Sequence, residues 1–363
     1  MAASKSSDEE VNNDQDLAFV ANMGKLIEHN ALGISLAIGY RVGLIEVLAN
    51  LDEPKTSIEI ADKAGLNERY VREWLAILAV AKVINVDKET NTYFLPRNRR
   101  KFLNSPYTRF NFEVFFTMFP PIIPQLETCF SKGGGISYDS YAGFHAWMDS
   151  LSSYGHKMTL LQHHIPSIEG LHEKLESGIC CLDVGCGMGS PGLLLAKEYP
   201  KSQFYGFDLS EEAITHAKEE ADKLGLQNIN FLVKDCAKFY PEYEEMFDYI
   251  SAHDAIHDQA YPAAVLSSIF KMMKKGGIFS MIDVEAHSHP ADNIDVSKAT
   301  LKYTYSLMHC MPVSLYFEGG AGLGTCWGRE LATQMLKEAG FSKVVMKNYA
   351  GESFNLSYVA TKE

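Results

Sequence analysis

The chain has 363 residues, of which 46% are hydrophobic, and its 33 basic and 46 acidic side chains give a formal net charge of −13. This length predicts two to three domains, and the apolar content is typical of a globular chain with a full core. The negative charge argues against sequence-independent binding of nucleic acid and against docking on an anionic membrane, because both need a positive face.

The cysteines and the N-terminal residues indicate the compartment. Seven scattered cysteines without a C-x-x-C pair predict reduced, mostly buried thiols. Residues 1–16 are small, polar and acidic, which favours a disordered tail over a signal peptide or a mitochondrial presequence. No run approaches the roughly 18 apolar residues of a membrane span. We therefore expect a soluble, cytoplasmic protein.

Residues 17–104 are expected to form a mostly helical, winged-helix-like domain. Apolar residues recur at helical spacing from Leu17 to about Leu51. A short helix capped by Thr56 or Ser57 and a longer one over Glu68–Ala81 follow. A hairpin over residues 83–95 completes the helix-turn-helix and wing, which we place at residues 35–104.

A winged helix raises an alternative function, that of a DNA-binding regulator that uses the other domain as a ligand sensor. The expected recognition helix carries Arg69 and Arg72, but also Glu68 and Glu73. A DNA reader usually has a richer basic surface, so we expect no nucleic-acid partner. The basic cluster after the wing, residues 97–101, is explained equally well by a solvated loop.

Residues 105–170 are predicted to be a helical connector with many aromatic side chains. Most of these are expected to pack between domains, and a few to face a bound substrate. Gly133–Gly135 lacks the Lys-Ser/Thr of a phosphate loop and is interpreted as a flexible joint.

Residues 171–363 alternate apolar strands and helices, which predicts a Rossmann-like α/β fold with a seven-stranded sheet. The strands are expected near residues 179–184, 203–208, 229–234, 247–252, 277–283, 343–349 and 354–361. The first strand runs into Asp183 and a turn with Gly185, Gly187 and Gly189, a pattern that grips nucleotide-like cofactors at a helix N-terminus.

Asp183 indicates which cofactor binds there. A dinucleotide would place its pyrophosphate beside this carboxylate and be repelled, although Gly187, Gly189 and Gly192 also satisfy the G-x-G-x-x-G pattern of NAD sites. S-adenosylmethionine brings an ammonium and a sulfonium group instead. The second and third strands end near Asp208 and Asp235, which would accept from ribose hydroxyls and from an adenine amino group.

The chain here resembles a known family. Residues from about 171 to 363 resemble a class I S-adenosylmethionine-dependent methyltransferase in Leu182–Gly189, Gly206–Ser210, Lys234–Cys236 and Phe247–Asp258. Together with the winged-helix-like segment and Asp254–Gln259, they are similar to a two-domain subgroup found in actinobacteria and invertebrates. In such proteins the N-terminal segment serves dimerisation and helps to close the acceptor pocket, so the resemblance implies a homodimer. The predicted cofactor contacts are Asp183, Gly185, Cys186, Gly187, Gly189, Asp208, Leu209, Asp235, Cys236 and His253.

The residues after the fourth strand are candidates for the chemistry. His257 is predicted to be the general base and Asp254 an orienting carboxylate, because this loop lies at the carboxyl edge of the sheet. His257-Asp258 also resembles the catalytic pair of plant-type small-molecule O-methyltransferases, with Gln259 in place of their usual tryptophan. A histidine that only caps the next helix or bonds the loop is the alternative.

Two further expectations concern residues 285–328. This insertion contains an apolar segment, Leu301–Phe317, and a glycine-rich run, Glu318–Gly328, which together are predicted to form a lid over the acceptor. Ordinary core or dimer packing is the alternative for Leu301–Phe317. Asp283, Glu285, His287 and His289 alternate and would share one face of a strand, but Pro290 follows closely. We therefore expect no metal site there. The acceptor is expected to be a small, fairly apolar molecule with a hydroxyl, thiol or amine.

Overall fold

The computed structural model describes residues 13–349 and 354–363, without the side chains of residues 13–15, 144–147 and 150–152. Its helices α1–α16 are Asn13–Arg41, Leu44–Ala49, Ser57–Ala64, Glu68–Val80, Arg97–Leu103, Pro106–Glu113, Ile123–Lys132, Phe144–Thr159, Ile165–Ser167, Leu171–Ser177, Ser190–Glu198, Glu211–Lys223, Pro262–Met272, Ala299–Tyr305, Met311–Leu315 and Gly328–Glu338. Its strands β1–β10 are Lys55–Thr56, Asn85–Asp87, Thr92–Phe94, Cys180–Val184, Gln203–Asp208, Ile229–Val233, Phe247–His253, Met273–Val284, Lys343–Asn348 and Asn355–Thr361.

The chain divides into two compact units, one ending at Pro120 and the other beginning at Pro121. The connector predicted over residues 105–170 is thus divided between them. The predicted tail lies mostly outside the described residues, and α1 already begins at Asn13.

The first unit contains the predicted helix-turn-helix and hairpin. Helix α3 begins at a capping box, in which Thr56 accepts from the backbone of Glu59 and the Glu59 carboxylate accepts from the backbone of Thr56. Strands β2 and β3 pair antiparallel, and the two-residue β1 adds to the other edge of β3. The buried side chains of Ile60, Leu75 and Leu78 pack these helices on one core.

The second unit is built on the predicted seven-stranded sheet, whose strands are confirmed. The strand order is β6-β5-β4-β7-β8-β10-β9, with β10 antiparallel to both neighbours. One face of the sheet packs against α13 and α16 through side chains such as Leu266 and Leu336, and the other packs against α10–α12 through Leu171, Leu195 and Ile214. Because β4, β5, β6 and β7 are parallel, their carboxyl ends meet at one edge.

Gly133–Gly135 does not serve simply as the predicted flexible joint. Gly133 ends α7 with a φ of 74°, but a Cβ on Gly135 would lie 2.1 Å from the carbonyl oxygen of Pro312. The amide of Ile136 also donates to that oxygen at 3.0 Å. The segment is therefore packed tightly against α15, and only glycine fits at position 135.

The insertion between β8 and α16 contains α14, a π-helical turn over Ser306–Cys310, and α15. Its glycine-rich run is fastened to the loop after β7. Ala321 donates its amide to the carbonyl of Ala260 at 2.8 Å, and Ser314 donates its hydroxyl to the carbonyl of Gln259 at 2.8 Å. The segment predicted as a lid is thus tied to the loop that carries the candidate catalytic residues.

Candidate functional site

A cavity of about 850 Å³ opens at the carboxyl edge of the sheet in the second unit. Its wall includes Asp183 and Asp208 at the ends of β4 and β5, and Asp235 just beyond β6. Hydrophobic strands fix these three carboxylates at one edge, as the sequence predicts, because each carboxylate stands at or near the end of an apolar run.

The glycine turn after β4 follows from backbone geometry. Gly185 has a φ of +68°, and a Cβ there would lie 2.6 Å from the Cβ of Ala255. Gly187 has a φ of +52° with open space where a Cβ would stand, so the backbone itself forms the cavity wall. The amide of Gly187 donates to Oδ2 of Asp208 at 2.8 Å. The turn therefore offers a ligand bare backbone at the start of α11.

One carboxylate oxygen of Asp183 accepts a hydrogen bond, and the other accepts none from the described residues. Ser251 donates to Oδ1 at 3.0 Å, while Oδ2 is inaccessible to solvent and has no hydrogen-bond partner among the described residues. Burial, with a small contribution from Asp208, raises the pKa of Asp183 to about 7. A buried carboxylate of this kind is stabilised by a cationic ligand group, which would restore its charged form.

Asp208 differs because both of its oxygens accept backbone hydrogen bonds. Besides Gly187 at Oδ2, the amide of Ser210 donates to Oδ1 at 2.9 Å. Asp235 accepts from the amide of Ala237 at 3.0 Å. These carboxylates shape their own loops, and they also face the cavity.

The other predicted cofactor contacts can now be placed. Leu209, Cys236, Cys186 and His253 line the cavity, but Gly189 does not. A Cβ on Gly189 would lie 2.6 Å from the ring of Phe231. The structure thus gives Gly189 a packing role between helix and sheet, and its predicted contact with the cofactor is unsupported.

A second imidazole, His156 on α8, lies beside His253 with 5.0 Å between ring centroids. Its Nδ1 is 3.3 Å from the hydroxyl of Ser190, the first residue of α11. Burial lowers the pKa of His156 to about 4 and that of His253 well below its usual value, so both rings are neutral at pH 7. The sequence offered no signal for His156, because it lies nearly 100 residues from its neighbour in the site.

His257, the predicted base, does not line the cavity. It is 3% exposed, and its Nδ1 lies 2.7 Å from Asp283 while its Nε2 lies 3.2 Å from Asp258. Burial alone would lower the pKa of His257, but the two carboxylates more than offset that effect and raise the pKa well above its ordinary value. A ring that is already protonated cannot accept a proton. Of these two neighbours, Asp258 lines the cavity and His257 does not.

Asp254 is not the carboxylate that orients His257. It has a φ of +49°, and this left-handed turn directs its side chain to Asn355, whose amide donates to both carboxylate oxygens at 2.9 Å. Burial and the nearby Asp283 raise the pKa of Asp254 to about 7. The carboxylate that bonds the ring of His257 is Asp283 at the end of β8, whose sequence pattern indicated only a candidate metal ligand.

Aromatic side chains enclose the end of the cavity around Asp258. Tyr138 donates its hydroxyl to Oδ2 of Asp258 at 3.2 Å, and Tyr141 lies close by. Tyr261, Tyr316 and Phe317 also line the cavity, and Ser314 donates to the carbonyl of Gln259, next to Asp258, which brings them into this part of the wall. We call it the acceptor end, and the part around Asp183, Asp208 and Asp235 the donor end.

The alternating residues after β8 do not converge as a metal site. Glu285 pairs with Arg329 at 2.8 Å, and His287 pairs with Glu330 at 2.7 Å. Elsewhere in the described chain, donor atoms of His257, Asp258 and Cys310 lie within 4.8 Å of one another, but both ring nitrogens of His257 already face carboxylates.

Residues 175–340 match the family profile described as "Methyltransferase domain", and residues 30–105 match the one described as "Rv2258c-like winged HTH domain". The chain carries a methyltransferase domain. The predicted pairing of this domain with an N-terminal winged helix is confirmed.

Similar proteins extend this result. The (S)-coclaurine N-methyltransferase of Papaver somniferum is 31% identical over 105 residues, which are 29% of each chain. The matched part of this chain spans less than half the length of the curated relatives that head the matches.

Two solved structures share the fold. Mitomycin 7-O-methyltransferase MmcR has a TM-score of 0.71 at 14% identity and covers 96% of this chain and 100% of its own. Human N-acetylserotonin methyltransferase, solved in complex with SAM, has a TM-score of 0.67 at 17% identity and covers 99% of both chains.

Among the described residues, no helix combines the length and apolar character needed to cross a membrane.

Proposed function

We propose that this chain is an S-adenosylmethionine-dependent methyltransferase that methylates a small molecule in the cavity at the carboxyl edge of its sheet. The observation that carries the proposal is Oδ2 of Asp183, a buried carboxylate oxygen without a hydrogen-bond partner in the described chain, beside a bare glycine turn. The prediction of S-adenosylmethionine as cofactor is further supported by the methyltransferase-domain match and by a fold shared with a structure that contains it.

The residues at the donor end fit the parts of this cofactor. Asp183 would hold the ammonium group, and Asp208 the ribose hydroxyls. Asp235, Leu209 and Cys236 would surround the adenine. Bound there, S-adenosylmethionine supplies a methyl group on a positively charged sulfur.

The start of α11 suits the cofactor's carboxylate. Backbone amides at a helix N-terminus attract anions, and Ser190 adds a hydroxyl at the first position. The neutral rings of His156 and His253 stand next to it without adding a charge that would repel a sulfonium. Together these groups hold the donor in line and exclude water, which is most of what methyl transfer requires.

At the acceptor end we assign proton acceptance to Asp258. Its carboxylate lines the cavity, Tyr138 donates to its Oδ2, and Nε2 of His257 lies within ion-pair distance of its Oδ1, at 3.2 Å. His257 is then a positioning residue, held in turn by Asp283 at 2.7 Å. This assignment keeps the predicted importance of His257 but moves the contact with the acceptor to its neighbour.

We also propose that the protein is a homodimer, joined through its first unit. Helix α1 exposes large apolar side chains, among them Phe19 at 63% and Ile27 at 71% exposure. Contiguous apolar surface of this kind is typical of an interface, and the resemblance to two-domain methyltransferases points to a second copy. Light scattering at micromolar concentration should give twice the monomer mass, and a monomer would contradict this. The cytoplasmic location stays a prediction.

Calorimetry with the purified chain tests the main proposal. S-adenosylhomocysteine, the demethylated product, should bind, and NAD and FAD should not. Asp183→Asn keeps the shape of the side chain and removes its charge, so it should weaken binding, whereas the exposed Asp222→Asn on α12 should not. Tight binding of NAD or FAD without binding of S-adenosylhomocysteine would overturn the proposal.

A further inference from the structure

We infer that the methyl acceptor is a small amine, cationic in solution, which Asp258 and the surrounding aromatic side chains recognise at the acceptor end. This inference rests on the proposed function and names the substrate class for it. Three features of the cavity support it: the charge of its wall, the position of Asp258 and the composition of the acceptor end.

The cavity wall is strongly acidic. Among the described residues that line it, nine are aspartate or glutamate, and one, Lys234, is a basic residue other than histidine. The charge of Lys234 is already engaged, since its Nζ lies 3.2 Å from Glu242 and 3.9 Å from the ring centroid of Tyr240. The two lining histidines are neutral because burial lowers their pKa values.

A bound cofactor would leave part of this negative charge uncompensated. Asp183, Asp208 and Asp235 belong to the donor end, and the carboxylate of the cofactor offsets one of its own two cations. Asp258 and the exposed Asp139 remain at the acceptor end. A cationic acceptor is attracted to such a wall, and a phenolate or carboxylate is repelled.

Protonated His257 does not neutralise the two carboxylates beside it. His257 lies between two carboxylates, Asp258 and Asp283, so this group of three retains a net negative charge even with the imidazole protonated. The side chain of Asp258 is 15% exposed, and Tyr138 donates to its Oδ2. An ammonium group at this oxygen would form a charge-assisted hydrogen bond from the cavity side.

The aromatic side chains add a second means of recognition. Tyr138, Tyr141, Tyr261, Tyr316 and Phe317 line the same end of the cavity. The faces of such rings attract organic cations, and a carboxylate among aromatic rings is a usual site for an ammonium group. Tyr261 is held in place because its hydroxyl donates to the carbonyl of Glu318 at 2.7 Å.

Methyl transfer to an amine requires that the nitrogen first lose a proton, and Asp258 is placed to accept it. Asp258 accepts a proton from the ammonium form of the acceptor, which frees the nitrogen lone pair. That lone pair forms the new N–CH₃ bond while the S–CH₃ bond breaks and its electron pair returns to sulfur, leaving a neutral thioether. For a primary or secondary amine, the product is the methylated ammonium ion, and the proton held by Asp258 then passes to solvent, which restores the carboxylate.

Three probes of similar shape test the inference: tyramine, a cation, tyrosol, a neutral alcohol, and 4-hydroxyphenylacetate, an anion. Each is titrated by calorimetry into protein saturated with S-adenosylhomocysteine. Tyramine should bind at least tenfold more tightly than 4-hydroxyphenylacetate, with tyrosol between them. Asp258→Asn should remove most of this preference, and Glu318→Gln, which removes a nearby carboxylate outside the cavity wall, should preserve it.

Other outcomes separate this inference from the proposed function. Equal affinities, preference for the anion, or an unchanged preference in Asp258→Asn would overturn the amine assignment, while binding of S-adenosylhomocysteine in the same samples would uphold the donor site. A second measurement uses transfer of a labelled methyl group into a metabolite extract, with mass spectrometry of the product. Label on nitrogen supports the inference, and label on oxygen or sulfur overturns it.

Discussion

The donor end and the acceptor end of the cavity both depend on carboxylates, but the chain assembles them differently. Asp208 at the donor end is fixed by backbone amides of Gly187 and Ser210, which belong to loops at adjoining strand ends. Asp258 at the acceptor end is fixed by the side chains of Tyr138, 120 residues away, and of its neighbour His257. The donor end therefore follows from strand and turn geometry, whereas the acceptor end exists only when distant segments pack together.

Because the two ends are assembled separately, a substitution at the acceptor end should reduce turnover without reducing the affinity for the methyl donor. His257→Gln removes the cation that holds Asp258, so kcat should fall about 100-fold or more, the size of effect typical of lost acid–base assistance. Steady-state kinetics with S-adenosylmethionine should show this fall with little change in its KM.

Calorimetry with S-adenosylhomocysteine shows whether that variant retains a folded donor end. The exposed His163→Gln serves as the matched control and should behave as the wild type. Near-normal turnover of His257→Gln across neutral pH would contradict the positioning role of His257.

A substitution at the donor end should instead weaken the binding of S-adenosylhomocysteine. Asp208→Ala removes the acceptor of two backbone amides together with the predicted ribose contacts. Hydrogen bonds to a charged acceptor contribute about 1.5–3 kcal/mol, which corresponds to roughly a 10- to 150-fold loss of S-adenosylhomocysteine affinity. Asp222→Ala is the control on the exposed side of α12. If the affinity of Asp208→Ala equals that of the wild type, Asp208 does not belong to the donor end.

The pH dependence of donor binding is expected to be a smaller effect than the loss in Asp208→Ala, and to come mainly from Asp183. Burial raises the pKa of this carboxyl to about 7, so it is mostly neutral at pH 6 and mostly charged at pH 8. Affinity for S-adenosylhomocysteine should therefore rise with pH across this range, by at most about tenfold per unit.

Asp183→Asn should remove most of this pH dependence, and the rest would come from Asp254, whose pKa is also raised to about 7. Adenosine lacks the ammonium group and should bind with little pH dependence. The same slope with adenosine would show that another group titrates.

The smallest expected effect concerns the winged helix of the first unit. Two of its arginines already have partners: Arg72 pairs with Glu68 at 3.4 Å, and Arg99 donates to the carbonyls of Lys82 and Val83. Fluorescence anisotropy with a random duplex at low salt should show no binding. Affinity that falls steeply with salt would instead favour the DNA-binding regulator.

Most of the fold could be predicted from the sequence because most strands of the sheet are apolar runs ended by a polar or glycine turn. The strand predicted from residue 277 begins earlier, at Met273. Its start carries two lysines and two glycines, and the amide of Gly276 donates to the carbonyl of Lys362 at 2.8 Å. Such pairing with the far end of the chain leaves no local signal.

The sequence by itself determined the carboxylates and the glycine turn of the donor end, but not His156 beside them. Asp183, Gly185 and Asp208 stand at strand ends, where parallel pairing brings them together whatever the rest of the chain does. The tertiary structure alone decided the acceptor end. Burial of His257 between Asp283 and Asp258 depends on contacts across the sheet edge, and those contacts determine which side chain faces the cavity. The position of a residue relative to the end of a strand determines where it lies in the sheet. The charge and exposure of its side chain depend on the residues that pack around it.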